Sequence, residues 1–125
     1  RDVERSRGLG DVYKRQAQSC MERRVSQLSG GERRYLEAKL LLLGNAKFVL
    51  LDEPFDYLSF HLVDKLIGLI KKHSEEKGIV IADHNYEKVL EVVNRLVLIR
   101  EGVLMELTDK RGLVEQGYLL DESYL

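Results

Sequence analysis

The sequence predicts an α/β fold: mainly parallel, buried strands flanked by helices, with a C-terminal antiparallel hairpin. Three observations predict it. Short continuous apolar runs at Lys47–Leu51, Ile79–Ala82 and Arg95–Arg100 have the length and composition of strands buried on both faces. Helical stretches alternate with them, and strand–helix–strand order argues parallel pairing. Glu101-Gly102 then joins two apolar segments directly, as in a hairpin turn.

Taken in order, Glu32–Leu43 is rich in helix formers, with Tyr35, Leu36, Leu40 and Leu43 as apolar positions. Gly44-Asn45 supplies its stop. The strand Lys47–Leu51 ends at Asp52-Glu53-Pro54, because Pro54 lacks a ladder donor. Ser59 can cap a helix over Phe60–Lys77, whose inner stripe is Leu62, Leu66, Leu69 and Ile70. Gly78 closes that helix and Ile79–Ala82 is the second strand. Tyr86–Val93 is a short helix, Arg95–Arg100 the third strand and Val103–Leu107 the fourth. A last helix starts at Thr108 or Asp109.

A chain of 125 residues suits one domain, and 44% hydrophobic with 33% charged residues suits a packed core. The net charge of −1 gives no reason to expect a nucleic-acid or anionic-membrane surface. The single cysteine, Cys20, excludes an intrachain disulfide and a cysteine-based metal cluster, and fits a reducing compartment. No apolar run approaches the ~20 residues a spanning helix needs, and no secretory signal is visible. Residues 1–16 have little apolar periodicity. Gly10–Gln16 resembles translated adaptor sequence, with a surface helix as the alternative, so the expected domain runs over 17–125.

Three motifs carry chemistry. Leu28-Ser29-Gly30-Gly31-Glu32 precedes a helix, where unobstructed backbone N–H groups and the positive dipole end attract an anion. By itself Ser-Gly-Gly equally describes a flexible loop and N-cap. Asp52 and Glu53 end a strand, where α/β sheets bind ligands. The first carboxylate can hold Mg²⁺ through water, and the second can polarise a water for attack on a phosphoryl group. An ordinary strand-to-loop turn is the alternative. His84 follows the second strand and can hydrogen-bond a terminal phosphate; a capping or core histidine is the alternative. Leu28 to Asp52 is 24 positions, enough for a helix and a strand, and Asp52 to His84 is 32. Both strand ends can therefore open on one sheet edge.

Here the sequence resembles the ATP-binding cassette family over Val25–Leu107. LSGGE at Leu28–Glu32 resembles its signature motif, Phe48–Glu53 with Pro54 its Walker B strand and catalytic glutamate, and His84 its switch histidine. The resemblance implies a partial P-loop NTPase-like fold and an ATPase that uses ATP and Mg²⁺. It implies that Leu28, Ser29, Gly30, Gly31 and Glu32 serve ATP held by an opposing subunit. Asp52 would support Mg²⁺, Glu53 would be the general base and His84 would clamp the γ-phosphate. Implied partners are a second nucleotide-binding domain, identical or not, and transmembrane permease subunits. No nucleic-acid partner is expected. The implied location is cytoplasmic, peripheral on the inner (plasma) membrane through the permease. A non-transport ATPase acting on ribosomes or DNA shares the same motifs.

Two departures stand out. The family's Leu-Asp pair after the glutamate reads Leu58-Ser59, so a hydroxyl replaces a charge; Asp56 lies three residues early. No lysine is preceded by Gly or followed by Ser or Thr, so the chain has no phosphate-cradling G-x-x-x-x-G-K-[ST] loop. The adenine-stacking aromatic and lid glutamine have no counterpart either. The expectation is a truncated gene model: the N-terminal half of the domain is missing, the piece alone is inactive, and it is poorly soluble. Arg33 and Arg34 read as a solvated helix face, with an approach of one of them to phosphate as the alternative; Lys71 to Lys77 read as an exposed helix end, and the tyrosines form no stacking platform.

Overall fold

A computed structural model describes residues 23–121 and 125. The expected leader over 1–16 and Cys20 lie outside the described residues. A 3₁₀ turn at Val25–Gln27 leads into α1 (Gly30–Leu43), β1 (Phe48–Asp52), α2 (Phe60–His73) and β2 (Gly78–Ala82). Then follow α3 (Tyr86–Val92), β3 (Leu96–Arg100), β4 (Val103–Leu107) and α4 (Gly112–Glu115). Strands β1 and β2 pair in parallel, from Phe48 opposite Gly78 to Asp52 opposite Ala82. Strands β3 and β4 pair antiparallel through Glu101 (φ 50°) and Gly102 (φ 77°). Two consecutive positive φ values match the twist of a hairpin.

The hairpin is a sheet of its own, where the sequence suggested the edge of one sheet. A two-residue turn pairs neighbouring strands locally and requires no adjoining ladder.

The core lies on one face of β1–β2. Val49 and Leu51 meet Ala38 and Leu42 of α1 and Val63, Leu66, Ile67 and Ile70 of α2, with Phe55 beside them. Register places Leu50 against Val80 on the opposite face, where Phe48 also lies. Leu50 is 74% exposed and Phe48 72%. The expectation of strands buried on both faces is thereby corrected: among the described residues both long helices cover the same side. A continuous apolar run identifies a strand without saying what covers each face.

Helix α2 stops at His73, earlier than Lys77. Ser74 ends it, with its N–H donating to Ile70 O at 2.9 Å and its Oγ to Lys71 O at 2.7 Å. Lys77, expected on an exposed helix end, instead donates through Nζ to the carbonyls of Gly44 and Ala46, stapling the loop before β1 to the start of β2. Gly78 therefore opens β2 and does not close a helix. A Cβ there would stand 2.5 Å from Phe48 Cδ1, so the glycine makes room for the ring. Helix α4 also starts later than expected. Asp109 Oδ1 accepts from Arg111 N at 2.8 Å in the turn before it.

Leu66 of α2 is fully buried in the core cluster, whereas Leu50 faces outward. Leu66→Ala should cost about 2–5 kcal/mol in urea unfolding, while Leu50→Ala should stay within about 1 kcal/mol.

Candidate functional site

Two loops leave the same edge of the β1–β2 sheet, one after Asp52 and one after Ala82. Parallel register forces this, because Asp52 stands opposite Ala82. The ladder extends one step further, with Glu53 N donating to Ala82 O at 2.7 Å. Glu53 then turns left-handed at φ 46°, and its carbonyl accepts from Asp56 N at 3.2 Å. A non-glycine residue seldom holds this backbone unless its surroundings impose it.

Asp83 binds the two loops together. Its side chain is fully buried. Oδ1 accepts from Asn85 N at 2.8 Å and Oδ2 from Phe55 N at 3.5 Å. His84 is thereby held above the corner after β1. Its Nδ1 lies 3.4 Å from Glu53 Oε1, and its Nε2 lies 4.0 Å from Asp56 Oδ1. The ring is 68% exposed and Glu53 48%, so both are open to a ligand from solvent. Tyr118 O–H reaches His84 O at 3.5 Å and supports the loop from behind.

Asp52 is exposed at the same edge but alternates onto the Phe48–Leu50 side of the sheet. It is not among the carboxylates grouped with His84. Glu53, Asp56 and His84 offer ligand atoms within 4.8 Å of one another. Asp56, set aside at the level of sequence, thus joins the pair that motif reading singled out.

The Leu28–Glu32 segment is built as a helix start. Ser29 Oγ accepts from Glu32 N at 3.1 Å, and Glu32 Oε1 accepts from Ser29 N at 3.3 Å. This reciprocal pair is a capping box. Glu32 Oε2 accepts from Arg23 Nη2 at 2.6 Å. Leu28 is buried as an anchor. The two glycines differ. A Cβ on Gly30 would meet no described residue within 4 Å, so the described residues leave the space above this backbone open. A Cβ on Gly31 would stand 2.7 Å from Tyr57 O, so its absence lets α1 approach the loop after β1. Leu58 packs against the core, and Ser59 Oγ caps α2 by accepting from Leu62 N at 3.4 Å. The hydroxyl that replaces an expected carboxylate thus has a structural task either residue performs.

Sequence reading missed Arg34. It is not on a solvated face: Nη2 donates to Glu53 O at 3.0 Å, and the guanidinium lies 5.9 Å from the Tyr57 ring centroid. Two adjacent arginines on a polar helix start gave no signal of which one turns inward.

No family model matches the chain. Among curated proteins, it is 36% identical over 93 residues to the glutathione/L-cysteine transport system ATP-binding/permease protein CydC of Haemophilus influenzae, covering 73% of this chain and 16% of that protein. It is 38% identical over 81 residues to the lipopolysaccharide export system ATP-binding protein LptB of the same organism, covering 62% of this chain and 33% of that protein. Against the thiamine import ATP-binding protein ThiQ of Histophilus somni it is 33% identical over 88 residues, covering 69% of this chain and 41% of that protein. The chain belongs to the ATP-binding cassette (ABC) ATPase family.

ABC relatives also appear among solved structures. An archaeal ribosome recycling factor, aABCE1, superposes with a TM-score of 0.57 at 29% identity over 65% of this chain and 16% of that chain. An SMC ATPase structure does so with 0.57 at 19% identity over 80% of this chain and 66% of that one, which speaks for the fold alone. The fold is accordingly a mixed α/β part of an ABC-type P-loop ATPase head. The chain spans less than half the length of each curated relative named here.

The two glycines yield a paired prediction. Gly31→Ala should lower stability by about 1–3 kcal/mol, because the new methyl meets backbone. Gly30→Ala should be neutral or stabilising by up to about 1 kcal/mol, since the helix gains propensity without a clash. Denaturant unfolding of the two variants separates them.

Proposed function

We propose that this chain supplies the hydrolytic corner and the signature face of an ABC ATPase subunit that drives transport across a membrane. The observation that supports it most directly is the 3.4 Å approach of His84 Nδ1 to Glu53 Oε1 at one sheet edge. A base and a phosphate-sensing imidazole need to be neighbours to act on one phosphoryl group.

In this reading Glu53 accepts a proton from a water. The water oxygen bonds to the γ-phosphorus while the bond from that phosphorus to the ADP oxygen breaks. His84 donates to a γ-phosphate oxygen. Asp52, exposed at the strand end, would hold Mg²⁺ through water; the ion would neutralise developing charge on the phosphates. The donor fits a hard cation, since the Asp52 carboxylate supplies oxygen atoms and is open to solvent.

Ser29, Gly30 and Gly31 would serve ATP bound by a second nucleotide-binding domain. Open space above Gly30 supports this, as does the Ser29 hydroxyl, which accepts within the cap and so keeps its proton as a donor. Two such domains would close on ATP and reopen after hydrolysis, moving attached permease subunits. No helix among the described residues is long and apolar enough to cross a membrane. Membrane association would thus come through the permease, with the ATPase on the cytoplasmic face.

A non-transport ABC ATPase is the second reading, favoured by the recycling-factor likeness. Transport is preferred because the transport relatives are more similar in sequence, at 33–38% identity against 29% for the recycling factor.

In an ATPase subunit carrying this segment, Glu53→Gln should lower kcat by about 10²–10⁴-fold and retain bound ATP. Turnover at the wild-type rate would reject Glu53 as the base. The 125-residue chain itself, with no Gly-Lys-Ser/Thr loop, should give no calorimetric signal with Mg·ATP at concentrations up to about 1 mM, weaker than about −4 kcal/mol of binding.

A further inference from the structure

Helix α1 touches the corner after β1 at two points on one face. Gly31 admits the Tyr57 carbonyl, and one turn later Arg34 reaches the Glu53 carbonyl. We infer that Arg34 is a positioning residue for Glu53, gripping the left-handed corner that aims its carboxylate and tying that corner to the helix of the signature segment. The inference rests on the role of Glu53 proposed above.

Both ends of the gripped turn are unusual. Glu53 has φ 46° and Tyr57 φ 62°, a sparsely populated region for residues with side chains. Arg34 engages both: its Nη2 donates to Glu53 O at 3.0 Å, and its guanidinium lies 5.9 Å from the Tyr57 ring centroid. Glu53 O also accepts from Asp56 N at 3.2 Å, so this carbonyl is the anchor of the whole turn. Arg34 Nε is buried, with no hydrogen-bond partner among the described residues. Packing around this end of the side chain restricts the poses open to a long, flexible arginine.

Arg34 does not touch the reacting atoms in this arrangement. Its effect passes through the Glu53 backbone. If α1 shifts when its N-terminal end engages a ligand, Glu53 O is pulled with it, and the carboxylate on the same residue is re-aimed. One side chain would thereby couple occupancy at the signature face to readiness of the base.

The test uses the full-length ATPase subunit that carries this chain, assembled with its partners. Arg34→Met keeps an unbranched stem and removes the donors; Arg34→Gln restores a donor without charge. Misplacement of a base on the scale of an ångström costs about 10–10²-fold. Arg34→Met should lower kcat by that factor, leave KM for ATP within about twofold, and speed hydrogen–deuterium exchange over 52–58. Arg34→Gln should recover most of both losses. Unchanged kcat in the Met variant, or unchanged exchange over 52–58, overturns the inference. Equal losses in the Met and Gln variants overturn it as well. A wild-type subunit with no ATPase activity would instead refute the proposed function, and the exchange comparison would still decide whether Arg34 holds the corner.

Discussion

The parallel register of β1 and β2 is the constraint on which the candidate site depends. Phe48 pairs with Gly78 and Asp52 with Ala82, so the strands run out together. The Glu53–Ala82 hydrogen bond carries the pairing one residue past the sheet. Both loops then begin from the same point. A one-residue slip would exchange the faces of β2, setting Val80 against the core in place of Ile79 and Ile81. The hydrophobic effect on the helix-covered face therefore fixes the relative placement of two polar residues that contribute nothing to it. Buried Asp83 converts that placement into a rigid one by accepting from both loops.

Much of this was legible from residue order. Apolar runs marked all four strands, and Ser29 and Ser59 marked two helix starts that the structure shows as caps. The Glu53–His84 neighbourhood followed from strand order and spacing, because parallel strands joined by one helix must end on the same side. Helix lengths were less legible. Lys77 looks helical by composition, yet the helix ends at Ser74 and the ammonium donates to two loop carbonyls. Nothing in a pentapeptide such as Phe48–Asp52 tells whether one face or two are covered; that depends on where helices pack. Arg34 and Asp83 escaped notice for a related reason. Arg34 meets Glu53, 19 residues away, and the contact by which Asp83 joins the two loops, to Phe55, spans 28 residues; no short motif records such contacts.

Glycines in the signature segment illustrate how a motif divides between fold and function. Gly31 is explained by packing against Tyr57 O, and Gly30 is explained by nothing among the described residues. Residues whose identity the fold does not require are where a ligand's demands become visible. The capping box around Ser29 and Glu32 orients the helix end whether or not an anion approaches it. The exposed Phe48–Leu50–Val80 face is another feature that packing among the described residues leaves uncovered.

In the proposed function one terminal phosphoryl group would be met by Glu53 and His84 of one subunit and by the Leu28–Glu32 segment of a second. A structure of the Glu53→Gln subunit bound to Mg·ATP tests it most directly. A His84 nitrogen should lie about 2.7–3.2 Å from a γ-phosphate oxygen. The substituted amide at position 53 should face the attacking side, with N–H groups of the second subunit's signature segment on the same phosphate. A γ-phosphate bound away from the 53–84 corner would contradict it.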